Sequence, residues 1–207
     1  FRDQPIYTGF MCTGVLVKED VIATAGHCAD ENNVTKLRII FGYKMVDSCT
    51  PVTQVPDENI YKGTKIIRRV YTGEDKQPDW ALVRLDRKVK NHIPAILSRE
   101  NLYCDQPVYV IGYPMGLPLK VAGGAQVCDM NEHCFVSDLD VYSGNSGSPV
   151  FANDTHELIG LVARGEKKDF RCTDRGWITL KYPNFEMCGR GVQCTKISEL
   201  IDFVDTL

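Results

Sequence analysis

The sequence predicts an all-β protein of two barrel-like halves closed by a C-terminal helix. Short apolar segments rich in Val and Ile recur along the chain, with Gly, Pro, Asn and Asp between them. That texture belongs to a β-barrel or β-sandwich. A charged stretch at 87–103, carrying Pro94, separates two strand-rich parts. Ile197, Leu200, Ile201 and Val204 fall at i, i+3, i+4 and i+7, one face of a helix.

In chain order, strands are expected at 14–17, 21–25, 37–41, 65–70 and 80–85 in the first half. In the second half they are expected at 108–112, 135–136, 149–151 and 158–163. Ser198 is the expected N-cap of the closing helix, whose apolar stripe reads as core packing. The boundary stretch makes 1–90 an N-terminal half and 91–207 a C-terminal half, each a common size for a small β domain.

Composition narrows the function. A chain of 207 residues suits one large domain or two small, closely joined ones. Hydrophobic residues make up 43%, enough for a sizeable core, which argues against disorder. Net charge is -3, without the basic excess that phosphate contacts demand, so no nucleic-acid partner is expected. No apolar run approaches the ~18 residues that would cross a bilayer, so no membrane partner is expected. The polar opening Phe1-Arg2-Asp3-Gln4 is not a signal peptide, and the chain is expected to begin after a removed leader.

Nine cysteines, at 12, 28, 49, 104, 128, 134, 172, 188 and 194, are dense for a cytosolic protein and ordinary in an oxidising compartment. Cys-x2-Cys pairs are absent, and the close pairs Cys128/Cys134 and Cys188/Cys194 have five residues between them. That spacing favours disulfides over zinc. An odd count leaves at least one thiol free or paired outside the chain. A secreted or periplasmic location is expected.

Three segments carry chemistry. In Gly144-Asn145-Ser146-Gly147-Ser148-Pro149, glycines let the backbone turn tightly around a serine and aim two N–H groups at one spot. A serine hydroxyl becomes a nucleophile when a base removes its proton, and two converging N–H groups can hold an oxyanion. Alone, such a turn is more often only a turn. Thr24-Ala25-Gly26-His27-Cys28 ends a buried strand on a histidine, which suits a fixed general base. The other histidines, His92, His133 and His156, lie in polar stretches and read as solvent-exposed. Asp79 opens the apolar run Trp80-Ala81-Leu82-Val83-Arg84-Leu85, where a carboxylate can orient an imidazole. Alone, it reads as a turn residue before a strand.

Together, TAGHC, DWALVRLD and GNSGSP resemble the trypsin-like serine peptidases of the chymotrypsin clan, in that family's order of base, acid and nucleophile. Gly112-Tyr113-Pro114 and Gly116-Leu117-Pro118 bring the chain closer to the bacterial glutamyl-endopeptidase-like branch than to animal trypsins. The resemblance spans roughly Gly9 to the C-terminal helix. It implies two six-stranded barrel-like halves. It also implies a catalytic triad of His27, Asp79 and Ser146, and oxyanion donors at Gly144 and Ser146. It implies a Cys12–Cys28 disulfide beside the histidine. Cys128–Cys134, Cys49–Cys104 and a bridge among Cys172, Cys188 and Cys194 remain open pairings. The implied activity is acyl transfer on a polypeptide substrate by a monomer, without metal or organic cofactor.

Two departures from animal trypsins stand out. Asn145 occupies the place of an Asp that pairs with a freshly cut N-terminus, so the oxyanion hole must be preformed or held otherwise. Val162 lies in the segment where trypsins place a serine on the triad acid, so Asp79 must find another partner. Asp140, six residues before Ser146, matches the acid at the base of a trypsin S1 pocket, and Gly165 matches a glycine that keeps the pocket open. The strand 160–165 lacks the histidine that helps the bacterial branch select Glu. The expectation leans to Arg or Lys at P1, with a glutamyl preference as the alternative, and the reading of Asp140 as an exposed or structural acid beside Asp138 stays open. Arg164 is expected to pair with Asp140 or with an acidic substrate residue. Val162, Ala163, Arg164 and Gly165 are the expected main-chain contacts to an extended peptide. A non-catalytic binding module on the same fold is the rival from another class. A G-x-S-x-G esterase is disfavoured by the residue order and the all-β surroundings. Asn33-Val34-Thr35 and Asn153-Asp154-Thr155 match glycosylation acceptors.

Overall fold

The structure, a computed structural model, describes residues 4–9, 12–165 and 191–207, and the strands at 170–173 and 176–179 by backbone alone. Residues 1–3, on which the leader expectation partly rests, lie outside the described residues, as do Cys188 and the side chain of Cys172.

The first half is a five-stranded antiparallel sheet in the order β1-β2-β5-β4-β3. Its members are β1 (Gly14–Lys18), β2 (Val21–Thr24), β3 (Arg38–Ile40), β4 (Ile60–Tyr71) and β5 (Asp79–Leu85). The central strand β5 explains its own composition. It pairs with β2 on one side and β4 on the other, and six of its seven residues are buried. Trp80 and Leu82 pack with Leu158, Leu161, Leu200 and Val204 of the second half. Ala81 and Val83 turn the other way, onto Ala29 and Val34. Both faces are covered, so Trp80 to Val83 run apolar rather than alternating.

The second half closes fully. A six-stranded barrel runs β10-β13-β8-β7-β6-β9. It is made of β6 (Pro107–Gly112), β7 (Lys120–Met130), β8 (Cys134–Ser137), β9 (Pro149–Ala152), β10 (Leu158–Arg164) and β13 (Val192–Lys196). Its interior holds Val108, Val110, Val127, Phe135, Leu139, Val150, Ile159 and Val162. A separate hairpin pairs β11 (Phe170–Thr173) with β12 (Gly176–Thr179). The predicted class is the observed one, an all-β chain with one barrel, a second curved sheet and a closing helix.

The stretch between β5 and β6 runs across the two halves. Ala95 N–H donates to Leu16 O at 2.8 Å, and Ser98 N–H to Leu158 O at 2.9 Å. The C-terminal stripe is buried as expected at Ile197, Leu200, Ile201 and Val204. Its start differs. A 3-10 turn covers Ile197–Glu199, and the α-helix α1 is only Ile201–Asp205, with Leu200 at its N-cap and no side-chain cap. Ser198 sits inside the 3-10 turn and cannot cap α1.

Candidate active site

β2 ends by delivering His27. Val21 through Ala25 are buried, and the chain then leaves the sheet, so the imidazole emerges at the rim with 31% of its side chain exposed. Asp79, at the first position of β5, is fully buried. Its Oδ2 lies 2.7 Å from His27 Nδ1, and its Oδ1 accepts the His27 backbone N–H at 3.0 Å. One carboxylate therefore fixes both the ring and the chain that carries it. With Nδ1–H aimed at a carboxylate, the neutral ring presents Nε2 as its acceptor.

Asp79 is itself held from the other half. Its N–H donates to Thr195 Oγ1 at 3.0 Å, and that hydroxyl donates to Asp79 O at 3.2 Å. Thr195 thus steadies the acid through its backbone. Nothing in Val192-Gln193-Cys194-Thr195-Lys196 marks it in sequence. The carbonyl of Gly26 accepts from Arg69 Nε at 2.7 Å, which braces the turn next to His27.

Ser146 lies on a tight loop, not on a strand. Asn145 N–H donates to Tyr142 O at 3.0 Å, and Ser148 N–H to Asn145 O at 2.8 Å. Among the described residues, the Gly144 and Ser146 N–H groups donate to no backbone acceptor. The Asn145 side chain is buried and accepts from Ser148 Oγ at 3.1 Å. A neutral amide thus sits where trypsins bury a carboxylate, and a hydroxyl partners it in place of an ion.

The loop is brought against the His27 segment by backbone contact. Thr13 N–H donates to Ser146 O at 2.8 Å, and Cys28 Sγ lies 3.8 Å from the same carbonyl. Gly147 has φ +81, and a Cβ there would come within 2.3 Å of Thr13 O and of Thr24 Oγ1. Only glycine lets the Ser146 loop approach this closely. Among the described residues no hydrogen bond joins Ser146 Oγ to His27 Nε2. Such contacts are commonly long without substrate and tighten when it binds.

The expected disulfide Cys12–Cys28 is present and spans 16 residues. It also removes the one grouping among the described residues that resembles a metal site, Cys12, His27 and Cys28, because bonded sulfurs cannot serve as thiolate ligands. Neither Cys128–Cys134 nor Cys49–Cys104 forms, and the expected bridge among Cys172, Cys188 and Cys194 falls partly outside the described residues. Cys128 is disulfide-bonded, but Cys134 is a free buried thiol, as is Cys194. Cys49 and Cys104 are free and exposed. Burial pushes the Cys134 thiol up to about 11 and raises Cys194 further, so both stay protonated and inert.

Toward the substrate, β10 is less of an edge than expected. Val162 is buried, its N–H donates to Ser148 O at 2.9 Å, and its carbonyl accepts from Gly147 N–H at 2.7 Å. Pairing with β9 ends at Leu161, so only 163–165 lie beyond it. Val162 therefore has no main-chain group to offer a peptide, and it ties the Ser146 loop to the barrel instead. Arg164 does not pair with Asp140: its Nη1 is 2.9 Å from Asp75 Oδ1, on the loop that precedes Asp79. Asp140 is exposed. Gly165 stands opposite Val141, where a Cβ would lie 3.5 Å from Val141 Cγ2. His92 and His156 are exposed as expected, but His133 is half-buried and bonded to Glu199 at 2.9 Å.

Fold and site together define a two-lobed β hydrolase with a buried acid, a rim histidine and a serine on a glycine turn. Residues 12–161 match the family described as trypsin-like peptidase domain. The chain belongs to that family and is a serine endopeptidase. It is 26% identical over 187 residues to the thrombin-like enzyme CPI-enzyme 2 of Gloydius ussuriensis, covering 76% of this chain and 68% of the relative. It is equally 26% identical over 181 residues to the snake venom serine protease PTLE1 of Gloydius halys, covering 73% and 67%. Among solved structures, a Glu endopeptidase in complex with MPD superposes with a TM-score of 0.65 over 98% of this chain and 89% of that one. At 17% identity, that match shows a shared fold.

Proposed function

We propose that Ser146, His27 and Asp79 hydrolyse peptide bonds through an acyl-enzyme, with the N–H groups of Gly144 and Ser146 as oxyanion donors. One observation carries this reading: a fully buried carboxylate holds His27 at Nδ1, beside a serine loop whose two amides are unspent among the described residues. His27 Nε2 takes the proton of Ser146 Oγ as the oxygen adds to the scissile carbonyl. The two amides receive the developing negative charge. His27 then returns the proton to the leaving amine. Water, activated by the same nitrogen, releases the acyl group.

A fluorophosphonate probe tests the assignment. The intact protein should label at Ser146 and lose peptidase activity in proportion, and Ser146→Ala should neither label nor cleave. Labelling elsewhere, or an Ala variant with full activity, removes Ser146 from the role.

For specificity the reading favours a basic P1 residue. Asp140 stands six residues before Ser146 and is not paired with Arg164, so its carboxylate can meet a cationic side chain, although solvent exposure weakens that attraction. Ala163 to Gly165 would hydrogen-bond the peptide main chain. A glutamyl preference gains nothing from Arg164, whose guanidinium already faces Asp75. A cleavage profile on a peptide library, run on the wild type and on Asp140→Ala, decides it. Selection for Arg or Lys should vanish in the variant, and its survival would move S1 away from Asp140. The disulfides fit a secreted or periplasmic enzyme.

A further inference from the structure

We infer that Thr13 is a positioning residue for the oxyanion hole, holding in place the peptides around Gly144 that trypsins secure with an ion pair. This rests on the proposed assignment of Ser146 as nucleophile and of the Gly144 and Ser146 amides as oxyanion donors.

All the polar atoms of Thr13 are engaged. Its N–H donates to Ser146 O at 2.8 Å. Its Oγ1 donates to Gly144 O at 2.9 Å and accepts Tyr113 N–H at 3.2 Å. Its carbonyl accepts from Thr24 Oγ1 at 2.6 Å. The side chain is buried, at 5% exposure, so water does not compete for these bonds. Thr13 follows Cys12, which the disulfide ties to Cys28 beside His27. One residue therefore links the general base's segment to the loop of the nucleophile.

Gly144 is the residue that most needs such a link. Its φ is +98, and without a Cβ the two peptides flanking it are free to turn over. Carbonyl and N–H point in opposite directions across a trans peptide, so fixing one aims the other. On the N-terminal side, Ser143 O accepts Met115 N–H at 2.6 Å, which turns the Gly144 N–H the opposite way. On the C-terminal side, Thr13 Oγ1 takes Gly144 O, which keeps Asn145 N–H on Tyr142 O. The same hydroxyl, through Tyr113 N–H, ties down the turn that carries Met115. Thr13 thus acts on both peptides, on one directly and on the other through that turn. Asn145 cannot supply an ionic anchor, because its amide is neutral and spent on Ser148.

The test compares Thr13→Val, which keeps the shape and removes the hydroxyl, with Thr13→Ser, which keeps the hydroxyl. The readouts are kcat and KM on a peptide that the wild type cleaves, and inhibition by phenylboronic acid. That compound forms a tetrahedral adduct on the serine and reports on the hole without a matched side chain. Thr13→Val should lower kcat by about 10- to 100-fold, below the full loss of one oxyanion donor, with KM within about twofold. Phenylboronic acid should weaken in step with kcat, and a product-like peptide acid should bind as before. Thr13→Ser should return kcat to within about threefold of wild type. If the Val variant does not accumulate as folded protein, Thr13→Ala, which adds no bulk, carries the same expectation. Wild-type kcat in Val or Ala, parallel losses in kcat and product binding, or a Ser variant as slow as Val each overturn the inference. A wild type that fluorophosphonate leaves unlabelled would instead sink the assignment of Ser146 itself.

Discussion

The proposed acid–base pair, His27 and Asp79, and the loop of Ser146 are built in different ways. Asp79 opens β5 and His27 follows the end of β2 by three residues, and these two strands are registered by a ladder from Val21↔Arg84 to Thr24↔Ala81. Main-chain pairing along the whole ladder places the carboxylate under the ring. Ser146 has no ladder. Its loop is set by a few irregular hydrogen bonds with Thr13, Met115, Tyr142 and Val162, which come from both halves. A ladder spreads a perturbation over many bonds, whereas an irregular loop concentrates it on one or two. The half of the site that looks most fixed is therefore the one where only chemistry is lost on mutation. In the other, geometry is lost first.

The largest effect expected from this contrast is at the acid. Asp79→Asn should leave the sheet intact and cut kcat/KM by about 10⁴-fold, because the amide can stabilise the wrong tautomer of His27. Steady-state kinetics beside a thermal melt would show it, and a variant that unfolds instead would contradict the ladder's dominance. The next effect is on stability. Replacing Cys12 and Cys28 together by Ala opens a loop of 16 residues and should cost about 3 kcal/mol in urea unfolding. Activity in that variant should fall further than Asp79-to-His27 geometry alone explains, because Thr13 is released as well.

The smallest effect lies far from the chemistry. The hydrogen bond that His133 donates to Glu199 raises the His133 pKa above its ordinary value, with the charges of Glu199 and Glu132 helping and burial and Lys196 opposing. A raised folded-state pKa contributes stability below the unfolded value, about 6.5, and that stability disappears as pH rises through the folded value. His133→Gln should therefore lower the melting temperature near pH 5.5 and leave it unchanged near pH 8.5, by about a degree or two at most for a half-exposed pair. A loss that persists at the higher pH would mean that His133 contributes packing and not charge.

What sequence could reveal followed the same division. His27 and Asp79 border apolar runs whose pairing partners are equally apolar, so their positions at strand ends were readable. The glycines around Ser146 marked a tight turn, and only the three segments together pointed to a serine peptidase site. Thr13 and Thr195 were not, because a threonine bonding backbone across 131 residues, as Thr13 does with Gly144, leaves no local pattern. β7 was missed because its register shifts where Ala122 pairs Val110 and Ala125 pairs Val108, across Gly123-Gly124, which breaks the alternation. β13 was missed because a polar sequence, Val192-Gln193-Cys194-Thr195-Lys196, fills a strand whose Thr195 is wholly buried for the sake of Asp79. The first half was expected to hold six strands and shows five, since the long 41–59 segment adds only the isolated bridge Met45↔Pro51.

Asn145 has a consequence for alkaline behaviour. An ammonium–carboxylate lock lets go when the amine loses its proton, at about pH 8 for an ordinary terminal amine. A primary amide bonded to a serine hydroxyl has nothing to titrate there. The geometry around Gly144 should survive in basic solution, leaving the upper limit of the working range to groups other than the one beside the nucleophile.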